Sequence, residues 1–148
     1  MLTSTLRLSL FAIAVLALFA QLGASGARAE EQVKLLALGL ADHAVTEDEV
    51  AGGAALPAPR FDSGGVAHAL VANLKKGDIV EVRLVLEGKS LMHNTETLSE
   101  DKERLLLQAG KTGTPAGGWP QGGYQAEVKV TRDGKPVLEE KSEAIPFE

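Results

Sequence analysis

Alternation of apolar and polar side chains is the feature that most constrains this chain. In residues 79–87, Val80, Val82, Leu84 and Leu86 are separated mainly by charged side chains. Successive side chains on a β-strand point to opposite faces, so the pattern predicts a strand with one buried and one wet face. No segment shows convincing helical periodicity.

A second alternating segment, residues 124–131, is followed by Asp133-Gly134. This dipeptide between two strand-like segments is the strongest short-range signal for a β-hairpin. The return strand is expected to start at Lys135. Pro136 cannot donate a backbone hydrogen bond and charged residues follow it, so this last strand is expected at a sheet edge.

Turn residues separate the remaining apolar segments. Predicted strands cover residues 33–40, 66–74, 79–87, 90–98, 104–109 and 124–131, with the return strand from 135. Seven short strands predict an antiparallel β-sandwich, and an up-and-down barrel is the alternative. Residues 90–98 are more polar and are expected at an edge, residues 99–104 are expected to be a charged connection, and Thr46 with Glu49 allows at most one helical turn.

The first 29 residues have the pattern of a secretory signal peptide. Arg7 precedes an apolar run over residues 10–20, and Ala27-Arg28-Ala29 offers a cleavage site, with a second option two residues earlier. The run rises only about 16 Å as a helix, too short for a bilayer. We therefore expect a leader at 1–29, a single domain at 30–148, and a location in the periplasm or outside the cell.

Composition excludes several classes of function. The chain has no cysteine, which rules out disulfides, thiolate metal sites and cysteine nucleophiles. Its net charge of −5 becomes −7 without the leader, which holds Arg7 and Arg28 and no acid. An acidic surface repels nucleic acid and anionic lipid, so neither is an expected partner.

One stretch resembles a known class of domain. Residues 118–124, Gly-Trp-Pro-Gln-Gly-Gly-Tyr, together with Glu127-Val128-Lys129-Val130 and the hairpin after them, are similar to the closing hairpin of small immunoglobulin-like modules of bacterial secreted proteins. Leu74-Lys75-Lys76-Gly77-Asp78 is similar to their central turn. The resemblance covers about half of the mature chain and implies an immunoglobulin-like β-sandwich without a shared active site. Tyr124 then stands where a tyrosine corner forms, with Trp119 closing the same end.

Three catalytic or phosphate-binding motifs are incomplete. Ser99-x-x-Lys102 and Lys111-Thr112-Gly113 match two signatures of penicillin-interacting enzymes, but the S-D-N element is missing and the chain is too short for that fold. Gly110-Lys111-Thr112 lacks the leading glycine of a phosphate-binding loop. No G-x-S-x-G motif is present. The sequence predicts no enzyme and no cofactor, and a hydrolase with an unrecognised site stays the third hypothesis.

Binding through loops is the leading hypothesis. The loops at residues 52–59 and 112–123 can carry binding chemistry, and aromatic side chains dominate protein interfaces. We predict a non-catalytic binding or accessory module for another envelope protein, with Phe61, Trp119, Pro120 and Tyr124 as the binding residues. The alternative is a periplasmic copper-handling protein that uses Met92 and His93, with His68 if the fold brings it near.

Overall fold

The computed structural model describes residues 32–53 and 55–148. The predicted leader therefore lies outside the described residues. The elements are β1 (Lys34–Ala41), α1 (Glu47–Ala51), β2 (Gly65–Leu74), β3 (Ile79–Leu86), β4 (Lys89–Thr97), β5 (Lys102–Lys111), β6 (Tyr124–Arg132) and β7 (Lys135–Lys141). Within this part of the chain, no helix is long and apolar enough to cross a bilayer.

The strands form two antiparallel sheets, which we name sheet A and sheet B. Sheet A has the order β1-β2-β5 and sheet B the order β4-β3-β6-β7. This is an antiparallel immunoglobulin-like β-sandwich of seven strands. The strand pattern predicted the sandwich, and the barrel alternative is wrong. Both strands predicted at edges, β4 and β7, lie at the two edges of sheet B.

The core lies between the inner faces of the two sheets. From sheet A it includes Ala67, Ala69 and Val71, and from sheet B it includes Val80 and Val82. Strand β3 lies at the centre of sheet B, paired with β4 on one side and β6 on the other. The alternation of residues 79–87 therefore corresponds to the inner and outer faces of this central strand.

One boundary differs clearly from the sequence prediction. Strand β5 starts at Lys102, whereas residues 99–104 were predicted to be a connection. Lys102 pairs with Leu74 at the end of β2, so the ladder extends through the charged residues. Strand β5 is an edge strand of sheet A, and charged side chains are tolerated at an edge because they stay in water.

Three of the four outer strands carry a β-bulge. The unpaired extra residue is Leu36 in β1, Leu91 in β4 and Val137 in β7. All three side chains are exposed. A bulge bends its strand and interrupts the regular row of backbone donors and acceptors. Strand β5 is the outer strand that pairs without a register shift.

Candidate functional site

Trp119, Tyr124 and Phe147 form an aromatic cluster that closes one end of the sandwich. The Tyr124 and Phe147 rings are stacked with centroids 3.7 Å apart, and Trp119 meets both edge to face. The Tyr124 hydroxyl donates to the Pro120 carbonyl oxygen at 2.5 Å, which is the geometry of a tyrosine corner. Trp119 Nε1 donates to the Ser63 carbonyl oxygen at 2.8 Å.

Burial gives Trp119 and Tyr124 a structural role. They are 3% and 0% exposed, so neither ring presents a surface to a partner in this conformation. Burial also raises the pKa of the Tyr124 hydroxyl. Of the four predicted binding residues, Phe61 and Pro120 are the exposed ones. Sequence reasoning did not place Phe147 in this cluster, because no strand pattern precedes it.

Phe61 projects from a braced turn at the same end. The Ser63 amide donates to the Arg60 carbonyl oxygen at 3.1 Å, and the Arg60 amide donates to Ser63 Oγ at 2.7 Å. Arg60 and Asp62 form an ion pair across the turn at 2.8 Å. The Thr114 hydroxyl donates to the Asp62 carbonyl oxygen at 2.6 Å, which ties the turn to the loop after β5.

The Phe61 ring lies over Gly118 and remains 50% exposed. A Cβ atom on Gly118 would stand 2.1 Å from this ring, and Gly118 has a φ of +80°, so both space and backbone require glycine. The Phe61 amide donates to the Glu148 carbonyl oxygen at 3.4 Å. Two other segments of the chain, the loop after β5 and the segment at Glu148, therefore hold the turn that carries this ring. Pro120, also exposed, follows Trp119 directly.

The three residues of the copper alternative do not converge. His68 lies in β2 on the outer face of sheet A and is 5% exposed, and the flanking Ala67 and Ala69 face the core. Met92 packs against the core of sheet B, and its neighbour His93 is exposed on the opposite face. The condition that the fold brings His68 near Met92 and His93 is not met. Within residues 32–53 and 55–148, no group of three or more His, Cys, Asp or Glu side chains is arranged to hold a metal ion.

His43 lies between two carboxylates. Its Nδ1 is 2.6 Å from Asp42 Oδ1, and its Nε2 is 2.7 Å from Glu49 Oε2. The hydrogen bonds to Asp42 and then to Glu49 raise the pKa of His43, and the hydrogen bond from His43 lowers the pKa of Glu49. With both nitrogens hydrogen-bonded to carboxylates, neither is free to activate a serine hydroxyl in this arrangement.

The outer face of sheet B carries a depression of about 590 Å³ lined by charged side chains. These charges pair across the strands, with Lys129 3.8 Å from Glu139 and Lys141 3.4 Å from Glu127. Exposed pairs of this kind contribute about 0 to 1 kcal/mol each. Four acidic side chains face three basic ones in this lining, so the depression has an excess of a single negative charge.

Comparisons with known proteins give limited similarity. No protein-family model and no curated protein matches this chain. The solved structure of a glycosyl hydrolase family 2 member from Bacteroides cellulosilyticus is similar with a TM-score of 0.42 and 20% identity. The match covers 62% of this chain and 14% of that protein. At this level the similarity carries no argument about activity or ligand.

Proposed function

We propose that this chain is a secreted, non-catalytic binding or accessory module of the small immunoglobulin-like type, and that it binds another envelope protein through the end of the sandwich at Phe61. The observation that carries the proposal is a half-exposed phenylalanine ring on a turn fixed by hydrogen bonds to two other segments. Aromatic rings held in place before binding are typical anchors of protein interfaces, because little conformational entropy is lost when they dock.

Burial of the Phe61 ring alone supplies too little free energy for specific binding. Full burial of a phenylalanine side chain stabilises by roughly 1.5 to 3 kcal/mol, so covering the exposed half supplies about 1 kcal/mol. Specific binding in the micromolar range needs about 8 kcal/mol. The interface therefore extends beyond Phe61, and exposed Pro120 and the loop at residues 112–118 are the adjoining surface in this proposal.

The hydrogen bonds of His43 and the burial of His68 support the non-catalytic part of the proposal. His43 is held by two carboxylates, and His68 is buried beneath the segment that follows β1. Export is proposed on the leader pattern at residues 1–29. N-terminal sequencing of the protein from the periplasmic fraction is expected to begin at Glu30. A chain that retains residues 1–29 in the cytoplasm contradicts this part.

Site-specific photo-crosslinking tests the binding site. A photoreactive phenylalanine analogue replaces Phe61 in the full chain, and the producing cells are irradiated intact. Val137, 45% exposed on β7, receives the same analogue as a matched control. We expect one discrete adduct with an envelope protein from position 61 and none from position 137.

Binding of the purified partner completes the test. Phe61→Ala is expected to weaken binding about tenfold, whereas Val137→Ala leaves it unchanged. The absence of an adduct at position 61, or the same adducts from both positions, contradicts the proposed site.

A further inference from the structure

Sheet A is covered on both faces, and the outer cover is the segment we name the strap, residues 42–53. Its helix α1 contacts β1 and β2. On the outer face of β2, the strand that α1 contacts, Val66, His68 and Leu70 are buried. Val45 at its centre is also buried. A sandwich sheet ordinarily exposes its outer face to water, so specific contacts must hold this segment against sheet A.

Two contacts fasten the strap to sheet A. The Val45 amide donates to Gln108 Oε1 at 2.7 Å, and Gln108 Nε2 donates to the Val45 carbonyl oxygen at 3.0 Å. Glu47 lies 3.6 Å from Arg104. Gln108 and Arg104 both belong to β5, so the strap reaches from β1 across the sheet to its far edge.

A third fastening lies within the strap and depends on one proton. Carboxylate oxygens only accept hydrogen bonds, so His43 can bond to both Asp42 and Glu49 only when both of its ring nitrogens carry a proton. Neutral imidazole donates once and turns a lone pair toward the other carboxylate. The charged form therefore joins the start of the strap to α1, and the neutral form releases one side.

His68 has the opposite requirement. It lies beneath the strap, and its Nδ1 is buried without a hydrogen-bond partner. A proton on His68 would bury a cation near the His43 imidazolium, a costly arrangement in a medium of low dielectric. Its neighbours on the paired strands, Gly39 of β1 and Gln108 of β5, carry no charge that could compensate. The other ionisable groups in or in contact with the strap include Asp42, Glu47, Asp48, Glu49 and Arg104.

We propose that the strap is a pH-dependent cover of the outer face of sheet A, closed while His43 is protonated and His68 is neutral. Raising the pH removes the His43 proton and weakens the attachment of the strap. Lowering the pH protonates His68 and displaces the strap from sheet A. Either change uncovers an apolar surface that includes Val66 and Leu70. The inference does not depend on the Phe61 site.

The directions of the pKa shifts agree with this geometry. Hydrogen bonds raise the pKa of His43 above its ordinary 6.5, whereas burial, followed by the charge of His43, lowers the pKa of His68 below it. The contribution of His43 is full below 6.5 and is lost as pH rises through its raised pKa. The contribution of neutral His68 is full above 6.5 and is lost as pH falls through its lowered pKa. The closed state of the strap is therefore most stable around pH 6.5.

Hydrogen exchange of the Val45 amide, measured by NMR on the purified protein from about pH 4.5 to 9, tests the proposal. The protection factor of this amide should be highest around pH 6.5 and lower at both ends of the range. On the alkaline side it should decrease roughly two- to fivefold, as expected for the loss of an exposed ion pair. The Val82 amide in the central strand reports global unfolding. Coincident profiles of Val45 and Val82 would mean that the whole domain opens, which overturns the proposal.

Variants assign each side of the profile. His43→Gln should remove the alkaline decrease, and His68→Leu should remove the acid decrease. His93→Gln, on the exposed outer face of sheet B, is the matched control and should change neither. If His68→Leu does not fold, the imidazole titration of His68 in the native protein must share its midpoint with the acid decrease. A flat profile, or a decrease that persists in its variant, overturns the proposal.

Discussion

The Trp119 amide donates a hydrogen bond to the Phe61 carbonyl oxygen at 3.2 Å, yet the Trp119 ring is buried and the Phe61 ring is half exposed. One backbone hydrogen bond thus joins an aromatic residue of the core to an aromatic residue that is exposed to solvent. The two residues are expected to respond differently to truncation, because only one of them fills the core.

Trp119→Ala should lower the free energy of unfolding by about 3 to 5 kcal/mol, since it leaves a cavity beside Tyr124 and Phe147. Phe61→Ala should lower it by about 1 kcal/mol or less, because half of the ring is already in water. Urea unfolding followed by circular dichroism measures both. Equal losses would contradict the division of roles.

Tyr124→Phe should cost about 1 to 2 kcal/mol. The substitution keeps the stacked ring but removes the hydroxyl that donates to the Pro120 carbonyl oxygen. The urea midpoint should fall while the slope of the transition stays unchanged. A variant as stable as the native protein would show that the tyrosine corner contributes nothing here.

Asp78→Asn should destabilise the domain by about 3 kcal/mol at neutral pH. Asp78 is 1% exposed and accepts hydrogen bonds from Arg132 Nε at 2.9 Å and Nη2 at 2.7 Å, so the substitution removes the charge of Asp78 from beside a largely buried guanidinium. Asp62→Asn, in the exposed pair with Arg60, is the control and should cost no more than about 0.5 kcal/mol.

The effect of Asp78 should depend on pH. Burial acts to raise the pKa of its carboxyl, but hydrogen bonds from Arg132 and from the Lys75 amide outweigh burial and leave the pKa below 3.8. The stabilisation is therefore full above 3.8 and is lost as pH falls through the lowered pKa. The difference in stability between the native protein and Asp78→Asn should shrink in acid. A difference that grows would reverse the assigned sign.

Gly118→Ala should displace the Phe61 ring, because a Cβ atom there meets the ring at 2.1 Å. Gly117→Ala is the matched control: its φ of +78° is nearly the same, but its Cβ would meet nothing within 4 Å. Both variants pay the backbone cost of about 1 kcal/mol. Only Gly118→Ala should shift the Phe61 ring resonances in NMR spectra and weaken partner binding. Identical Phe61 ring resonances in the two variants would contradict the packing of the ring against Gly118.

Local patterns predicted the parts of the fold that depend on neighbouring residues. The Asp133-Gly134 turn has φ of +52° and +76°, the left-handed values that favour this dipeptide. Thr46 and Glu49 form the full capping box of α1. In each case the signal and the structure lie within a few residues of each other.

Contacts between distant segments could not be predicted in this way. The strap covers β2 because Gln108, 63 residues away, bonds to Val45, and no local pattern reports such a pairing. Phe147 joins the aromatic cluster from a segment with no strand pattern of its own. Trp119 and Tyr124 were assigned to a sandwich end correctly, but the sequence did not distinguish a ring that closes the core from one that faces solvent.

The bulges at Leu36, Leu91 and Val137 have a consequence for the protein at high concentration. Fibre growth requires a straight row of free amides and carbonyls, and three of the four outer strands interrupt that row. At β5 the Asn94 side chain already donates to the Gln108 carbonyl oxygen, and Lys102, Arg104 and Lys111 repel an identical strand stacked in register. The folded domain is therefore expected to remain dispersed when crowded.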